Sequence, residues 1–295
     1  MEEETERKNW HDKYYKLMLL IPLVLLLFSF YSIYSFYNET GDFFKKDVSL
    51  TGGTSITVNS EVDHSDLQSF LEGKIGDFSI RGISDLRTGE ELAFIVETIS
   101  EPEVIQPVLE EYLGYELTQE NSSIEFTGQS LSVGFYKQLQ IAILIALILM
   151  SIVVFIIFRN FIPSLAVIVS VIADIAMTLV VVNMLGMKIS NAGIVALLML
   201  IGYSVDSDIL LTTRSLKSNV GTVNSRLFGA FKTGITMTLT SMAAVGVALY
   251  ITSSFSSSLN QIFTIILIGL GFDLFNTWIT NIGILKWYME KKKID

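Results

Sequence analysis

Six stretches of this sequence are long and apolar enough to cross a lipid bilayer: roughly residues 17–36, 139–158, 161–184, 190–213, 233–252 and 260–285. About 20 apolar residues traverse the hydrocarbon core as a helix. No water is available there for peptide N–H and C=O groups, so a crossing segment must satisfy its own backbone, and each run is read as a helix. That requirement sets the fold class first: a polytopic α-helical membrane protein with six transmembrane helices.

Lys and Arg in the short connections orient such a chain, because they accumulate on the cytoplasmic side. Arg7, Lys8, Lys13 and Lys16 precede the first run, and Arg159 separates the second from the third. Arg214, Lys217, Arg226 and Lys232 fill the fourth connection, and Lys286 and Lys291–Lys293 follow the sixth run. The opposite side carries only Lys188 and the uncharged SSFSSSLNQ. The expected arrangement is a cytoplasmic N-terminus (1–16), a first helix (17–36), an extracytoplasmic domain (37–136), a five-helix bundle (139–285) and a cytoplasmic C-terminus (286–295). The location is the cytoplasmic membrane. The leader shows no small-residue cleavage site, so the first run is expected to stay as an anchor. His11 lies beside Trp10, Tyr14 and Tyr15, which reads as an interfacial aromatic anchor.

Charge is unevenly spread. Of the formal −10, residues 37–136 carry 19 Asp and Glu against 5 Lys and Arg. A water-facing acidic segment with membrane on either side argues against nucleic acid as a partner. The absence of cysteine excludes disulfides, iron–sulfur clusters and thiol catalysis. No soluble-type enzyme constellation, cofactor motif or metal-ligand spacing is evident, and His64 reads as a loop residue.

The 37–136 segment alternates in the manner of strands and amphipathic helices. VSLTGGTSITV (48–58) reads as a strand, 64–75 as a helix capped near Ser65 or Asp66, and 77–83 and 91–98 as strands about a Thr88-Gly89 turn. Residues 101–114 read as a helix between Pro102 and Gly114, and 122–128 as a last strand. The order βαββαβ is the α+β ferredoxin-like arrangement. Gly52-Gly53 has no following Lys-Ser/Thr, so it reads as a bulge or a close backbone approach rather than a phosphate cradle.

Four acids interrupt the spans: Asp174 in the third, Asp206 and Asp208 in the fourth, Asp273 in the sixth. An ionised Asp at the bilayer centre costs roughly 2.5–3.5 kcal/mol, so such residues face a bundle interior or water and mark ion paths or interhelical bonds. A carboxyl carrying a proton avoids most of that cost, which makes a proton the natural cargo. Residues two apart on a helix point about 200° apart, so Asp206 and Asp208 serve different faces. Gly202, one turn before Asp206, opens that face to a close neighbour. Thr233, Thr236 and Thr240 form a polar stripe on the fifth span below Lys232 and are candidate partners for a carboxylate.

The stretch GYSVDSDILLTTR (202–214), with TGGT after the first span and six spans around one large loop, resembles the SecF branch of the SecD/SecF family, in its archaeal form, within the resistance–nodulation–division superfamily. The likeness covers nearly the whole chain. The bacterial SecF pattern G-Y-S-I-N-D-T has its acid where this chain has Ser207, whereas the SecD pattern G-M-A-V-D-A-N matches Asp206. Arg214 fits the family's basic residue at the cytoplasmic end of this helix, and Lys232 stands where the family carries Arg. The D-F-T-G-G-T motif has become S-L-T-G-G-T, with Ser49 for the Asp. The resemblance implies an auxiliary subunit of the Sec translocase, partnered by a SecD-like membrane subunit and a SecY-type translocon. It implies that proton flow near the fourth-span acids assists unfolded exported proteins. A half-transporter of the related drug or lipid efflux class, and a non-transporting translocon scaffold, are the alternatives.

Overall fold

The structure, a computed structural model, describes residues 15–84, 88, 90–217, 223–252 and 256–292. Most of the leader, Gly89 of the expected turn, Ser253–Phe255 of the uncharged connection and Lys293 lie outside the described residues. Six helices are long and apolar enough to span: Tyr15–Thr40, Gln129–Phe158, Phe161–Met184, Asn191–Leu216, Val223–Thr252 and Ser258–Lys292. The apolar runs mark helix interiors rather than ends, because a helix does not stop where hydrocarbon does. The second helix starts at Gln129, inside the stretch assigned to the domain, and the sixth continues through Lys286 to Lys292. Between the second and third helices, Arg159 turns the chain in the left-handed conformation (φ 52°), and Pro163 sits in the first turn of the next helix, where its missing N–H costs nothing.

Between the first two spans lies a four-stranded antiparallel sheet, β1 (Gly53–Val58), β2 (Phe78–Ser84), β3 (Glu91–Thr98) and β4 (Ser122–Thr127), in the order β2-β3-β1-β4. Helices His64–Leu71 and Pro102–Leu113 bury Leu67, Leu71, Ile105 and Leu109 against Ile56, Val58, Phe94 and Val96. This is the expected ferredoxin-like domain. Asp63, rather than Ser65 or Asp66, caps the first of these helices by accepting from Ser65 N at 2.8 Å.

The expected strand over 48–58 is corrected. Val48–Thr51 is a helical turn, capped by the Asp47 carboxylate accepting from Ser49 N at 3.0 Å, and β1 starts only at Gly53. Gly52 and Gly53 join the two at φ 85° and 140°, which side chains rarely adopt. A Cβ on Gly53 would lie 2.2 Å from Thr98 O, and one on Gly52 would lie 2.6 Å from Gln129 Cα. The glycine pair therefore serves close backbone approach, seating β1 on β3 and the helical turn on the start of the second span.

The sheet face away from its helices meets the membrane bundle across a polar cavity of about 290 Å³, lined by Asp47, Ser55, Arg81, Glu97, Ser190 and Gln261 among others. Alternation along β3 sends Phe94 and Val96 to the helices and leaves Glu97 on this side, 3% exposed. Arg81 pairs with Glu97 and lies 3.6 Å from Asp47 Oδ2, while Lys188 Nζ donates to Ser79 Oγ at 2.7 Å. Below this cluster, Ile189 N donates to Lys45 O at 2.7 Å and Asp47 N to Ile189 O at 3.0 Å. Asn191 N donates to Ser49 Oγ at 3.2 Å, and Gln261 Nε2 donates to Lys188 O at 2.5 Å. The domain is thus bolted to the connection between the third and fourth spans, which is itself tied to the start of the sixth.

Gly53→Ala should destabilise the protein by at least about 2 kcal/mol, through a backbone clash at a positive φ. Gly73→Ala, at φ 82° with nothing within 4 Å of the added carbon, should cost only about 1 kcal/mol. Thermal unfolding of the two variants in detergent checks the contrast.

Burial, and the Asp47 carboxylate beside it, push the Glu97 carboxyl above the usual carboxylate range, with Arg81, Lys188 and Ser79 pulling the other way. The folded state therefore holds a proton that the unfolded chain has already released. The Glu97 contribution is complete below the ordinary Glu value of about 4.3 and is lost as pH rises through the raised value. Melting temperature measured against pH should fall across that window in the wild type relative to Glu97→Gln, which lacks the titration.

Candidate functional site

Asp174, Asp208 and Asp273 come together where the third, fourth and sixth spans pack, each at most 1% exposed. The approach is close: a Cβ on Gly269 of the sixth span would meet Leu200 of the fourth at 2.4 Å. Asp174 accepts from Ser204 Oγ at 2.5 Å and Asn276 Nδ2 at 2.7 Å. Asp208 Oδ1 accepts from Thr277 Oγ1 at 2.9 Å and Asn281 Nδ2 at 2.7 Å. Asp273 accepts from Ser207 Oγ at 2.9 and 3.1 Å, and Thr277 Oγ1 lies 3.2 Å from its Oδ1.

Local geometry explains why the sixth span supplies so many donors. Residues Asn276–Asn281 form a π-helical turn inside an otherwise α-helical span. In an α-helix, residues five apart point about 140° from each other. The wider turn brings Asn276 and Asn281 to the same side, one reaching Asp174 and the other Asp208. Such single π turns recur at functional sites.

The network is short of protons when every carboxyl is ionised. Thr277 has one hydroxyl proton and faces both Asp208 and Asp273. Ser207 likewise has one proton, and its hydroxyl lies within 2.9 Å of both Ser204 O and Asp273 Oδ1. A further proton on Asp208 or Asp273, donated to Thr277 Oγ1, would let that hydroxyl donate to the other carboxylate alone.

Asp206 lies elsewhere. It is exposed on the outer face of the fourth span and makes no hydrogen bond or ion pair with any described residue. It borders an open groove of about 450 Å³ lined by Met150, Val153, Met199, Gly202 and Tyr203. Gly202 is also exposed, and a Cβ there would meet nothing within 4 Å. The fifth-span stripe does not reach the buried acids either. Thr236 and Thr240 are exposed and donate to Lys232 O and Thr236 O, at 2.8 and 2.7 Å. Lys232 is exposed too. Arg214 Nη1 donates to Thr233 Oγ1 at 2.7 Å and Gly229 O at 3.1 Å, tying the fourth span to the fifth near their connection.

Ser204, Ser207, Asn276, Thr277 and Asn281 were not among the expected site residues. The signal for the last three was present as DLFNTWITN, in which Asp273, Asn276, Thr277 and Asn281 follow helical spacing.

Fold and site together define a six-span membrane protein with a shared carboxylate network inside its bundle and one ferredoxin-like domain between its first two spans. The family model for the protein export membrane protein SecD/SecF, C-terminal, matches residues 109–291. The chain belongs to the SecD/SecF family. It is 36% identical over 279 residues to a protein-export membrane protein SecF of Methanolacinia petrolearia, covering 94% of each chain. It is 40% identical over 249 residues to the SecF of Methanothermobacter thermautotrophicus, covering 82% of this chain and 84% of the other. To the SecF of Methanocaldococcus jannaschii it is 36% identical, over 95% of this chain and 97% of the other. Among solved structures, SecDF, a translocon-associated membrane protein from Thermus thermophilus, superposes with a TM-score of 0.75 at 20% identity. That fit covers 98% of this chain and 40% of the SecDF chain.

Thr277→Val keeps the side-chain shape and removes the shared hydroxyl. It should cost about 1–3 kcal/mol, because buried carboxylate oxygens lose their donor. Thr236→Val, on the exposed stripe, should stay within about 0.5 kcal/mol. Thermal unfolding of both variants tests the ranking.

Proposed function

We propose that this chain is an auxiliary subunit of the Sec protein translocase, seated in the cytoplasmic membrane with both termini inside. It works beside a SecD-like membrane subunit to help unfolded exported proteins leave a SecY-type translocon. Its role is not catalytic, and the coupling is to the proton-motive force. The names carried by its relatives support the class, and the fit to 40% of a SecDF chain is in keeping with a SecD-like partner.

The observation that carries the reading is the unpaired Asp206. On the outer face at mid-span, an ionised carboxylate costs roughly 2.5–3.5 kcal/mol against lipid. A partner span laid in the groove over Gly202 removes that exposure, since small residues let helices approach closely. Among the groove-lining residues, Asp206 carries the only carboxylate, and the groove lacks the several oxygens that a metal cation requires. A proton is the cargo such a site can take. Arg214 lies toward the basic end of the same span, and Lys232, Thr233, Thr236 and Thr240 line the neighbouring fifth helix. The inner acids hold the fourth span in place while Asp206 exchanges its proton.

Asp206→Asn should leave assembly intact and reduce proton-motive-force-dependent export to the level of de-energised membranes. Affinity capture from native membranes should recover SecD-like and SecY-like chains with wild type and variant alike. Wild-type export by the variant would sink the coupling role, and failure to recover a SecD-like chain with the wild type would sink the partnership.

A further inference from the structure

The polar cavity between the sheet and the bundle has a negative charge left over. Its lining holds three carboxylates, Asp47, Glu97 and Glu125, and one guanidinium, Arg81. Arg81 pairs with Glu97 and lies 3.6 Å from Asp47 Oδ2, while Lys188 Nζ stands 3.8 Å from Glu97 Oε2. Two cations thus answer Asp47 and Glu97. Glu125 makes no ion pair or side-chain hydrogen bond with any described residue.

Strand register surrounds Glu125 with further acceptors. Ser55 on β1 stands opposite Glu97 on β3 and opposite Glu125 on β4. Strands repeat about every 4.8 Å across a sheet, so the two carboxylates flank Ser55 on backbones roughly 10 Å apart. Thr57 and Thr127, two residues along from Ser55 and Glu125, line the same cavity. The hydroxyls of Ser55, Thr57 and Thr127 make no hydrogen bond with a described residue either. A sheet face laid on another layer ordinarily presents apolar side chains, so this run of uncommitted oxygens is a departure. The cavity is deep at one end and open at the other: Glu97 is 3% exposed, whereas Glu125 and Ser258 are exposed. The open end lies at β4, an edge strand of the sheet. An extended chain beside it would find hydrogen-bond partners along the outer backbone edge.

We propose that this cavity receives a lysine side chain from an extended polypeptide lying beside β4, that polypeptide being the exported chain. The source of the chain rests on the export role proposed for the protein. An ammonium carries three N–H donors and no acceptor, which suits one carboxylate among hydroxyl oxygens. Its single charge cancels the single surplus. A divalent metal is poorly served, since among the described residues no three His, Asp or Glu come together as a metal site. An anion would face three carboxylates. Hydroxyls and a backbone edge read little sequence, which suits a surface that meets many different chains. The acidic domain, with 19 Asp and Glu against 5 Lys and Arg over residues 37–136, draws basic segments toward it from a distance.

The test uses the full chain in detergent at one ionic strength. The probes are short, linear, fluorescein-labelled threonine-rich peptides with one central lysine or norleucine, and binding is read by anisotropy. Wild type should bind the lysine peptide saturably and at least about fivefold more tightly than the norleucine peptide, as hydrogen bonds to a charged group imply. Glu125→Gln should erase that preference, and Ser55→Ala should reduce it. Glu120→Gln removes the same charge from an exposed position of the domain outside the cavity, and should keep the preference. A cyclised lysine peptide, which cannot extend, should bind no better than the norleucine peptide. Asp206→Asn should bind the lysine peptide as wild type does, so failure of this site and failure of the coupling role are read separately. Equal affinity for the two linear peptides, or the same loss in Glu120→Gln as in Glu125→Gln, would overturn the proposal. Full binding of the cyclised peptide would overturn the extended occupant.

Discussion

Carboxylates in a membrane bundle must find their hydrogen-bond donors inside the protein, since lipid offers none, and much of this bundle's architecture answers that requirement. Asp174, Asp208 and Asp273 sit on three different helices, yet each is reached by side chains from another helix. The sixth span gives up regular α geometry at Asn276–Asn281 to reach two of them at once. A wider turn strains the backbone hydrogen-bond pattern, but leaving a buried carboxylate unsatisfied costs more. The third, fourth and sixth spans are also the more deeply buried of the six, while the first, second and fifth windows are each only 11% buried. The acids and the buried helices define one inner core, with three more peripheral helices around it.

The pair in the fourth span shows how helical geometry divides labour. Asp206 and Asp208 are two residues apart, about 200° around the helix. One is fully buried in the network and the other lies on an exposed face with no partner among the described residues. Ser207, between them, completes the inward side by reaching Asp273. A single short segment therefore addresses both the chain's own core and whatever lies beside it. The family patterns place the acid where this chain has Asp206 or Ser207, whereas here two acids flank Ser207 and lie on two faces.

Much of the fold was legible because its causes are local. Apolar length predicts the six spans, and the third agrees at both ends because Arg159–Asn160 and Gly186 punctuate it in sequence. Strand alternation and the Pro102 and Gly114 boundaries predict the ferredoxin-like order. The region 48–58 misled because its alternation suits a strand, whereas the Asp47 cap and the positive φ of Gly52 terminate a helical turn first. At the site, charge is visible in an apolar run and amide or hydroxyl groups are not, so the acids stood out while Asn276, Thr277 and Asn281 did not. The threonines of the fifth span show the converse. Their spacing suits a carboxylate partner, but Thr236 and Thr240 are satisfied by their own helix backbone, which spacing alone does not reveal.

The anchoring of the inserted domain and the acid network share the same rigid elements. Lys188, Ile189 and Asn191 lie where the third span passes into the fourth, and Gln261 opens the sixth. These three spans continue through the membrane to Asp174, Asp208 and Asp273. Helices packed this closely, with Leu200 filling the space that any side chain at residue 269 would need, resist independent sliding, because packed interiors are stiff. A change in protonation or occupancy that repositions the fourth span against the sixth must then be absorbed at their shared end. There Asp47 and Ser49 are bonded to the fourth-span connection, and Glu97, Arg81 and Lys188 form a compact charged cluster. Buried charge tolerates small displacements poorly, since the pairing that offsets its desolvation depends on close geometry. The polar junction is therefore the part of the domain with least freedom to ignore what happens in the bundle.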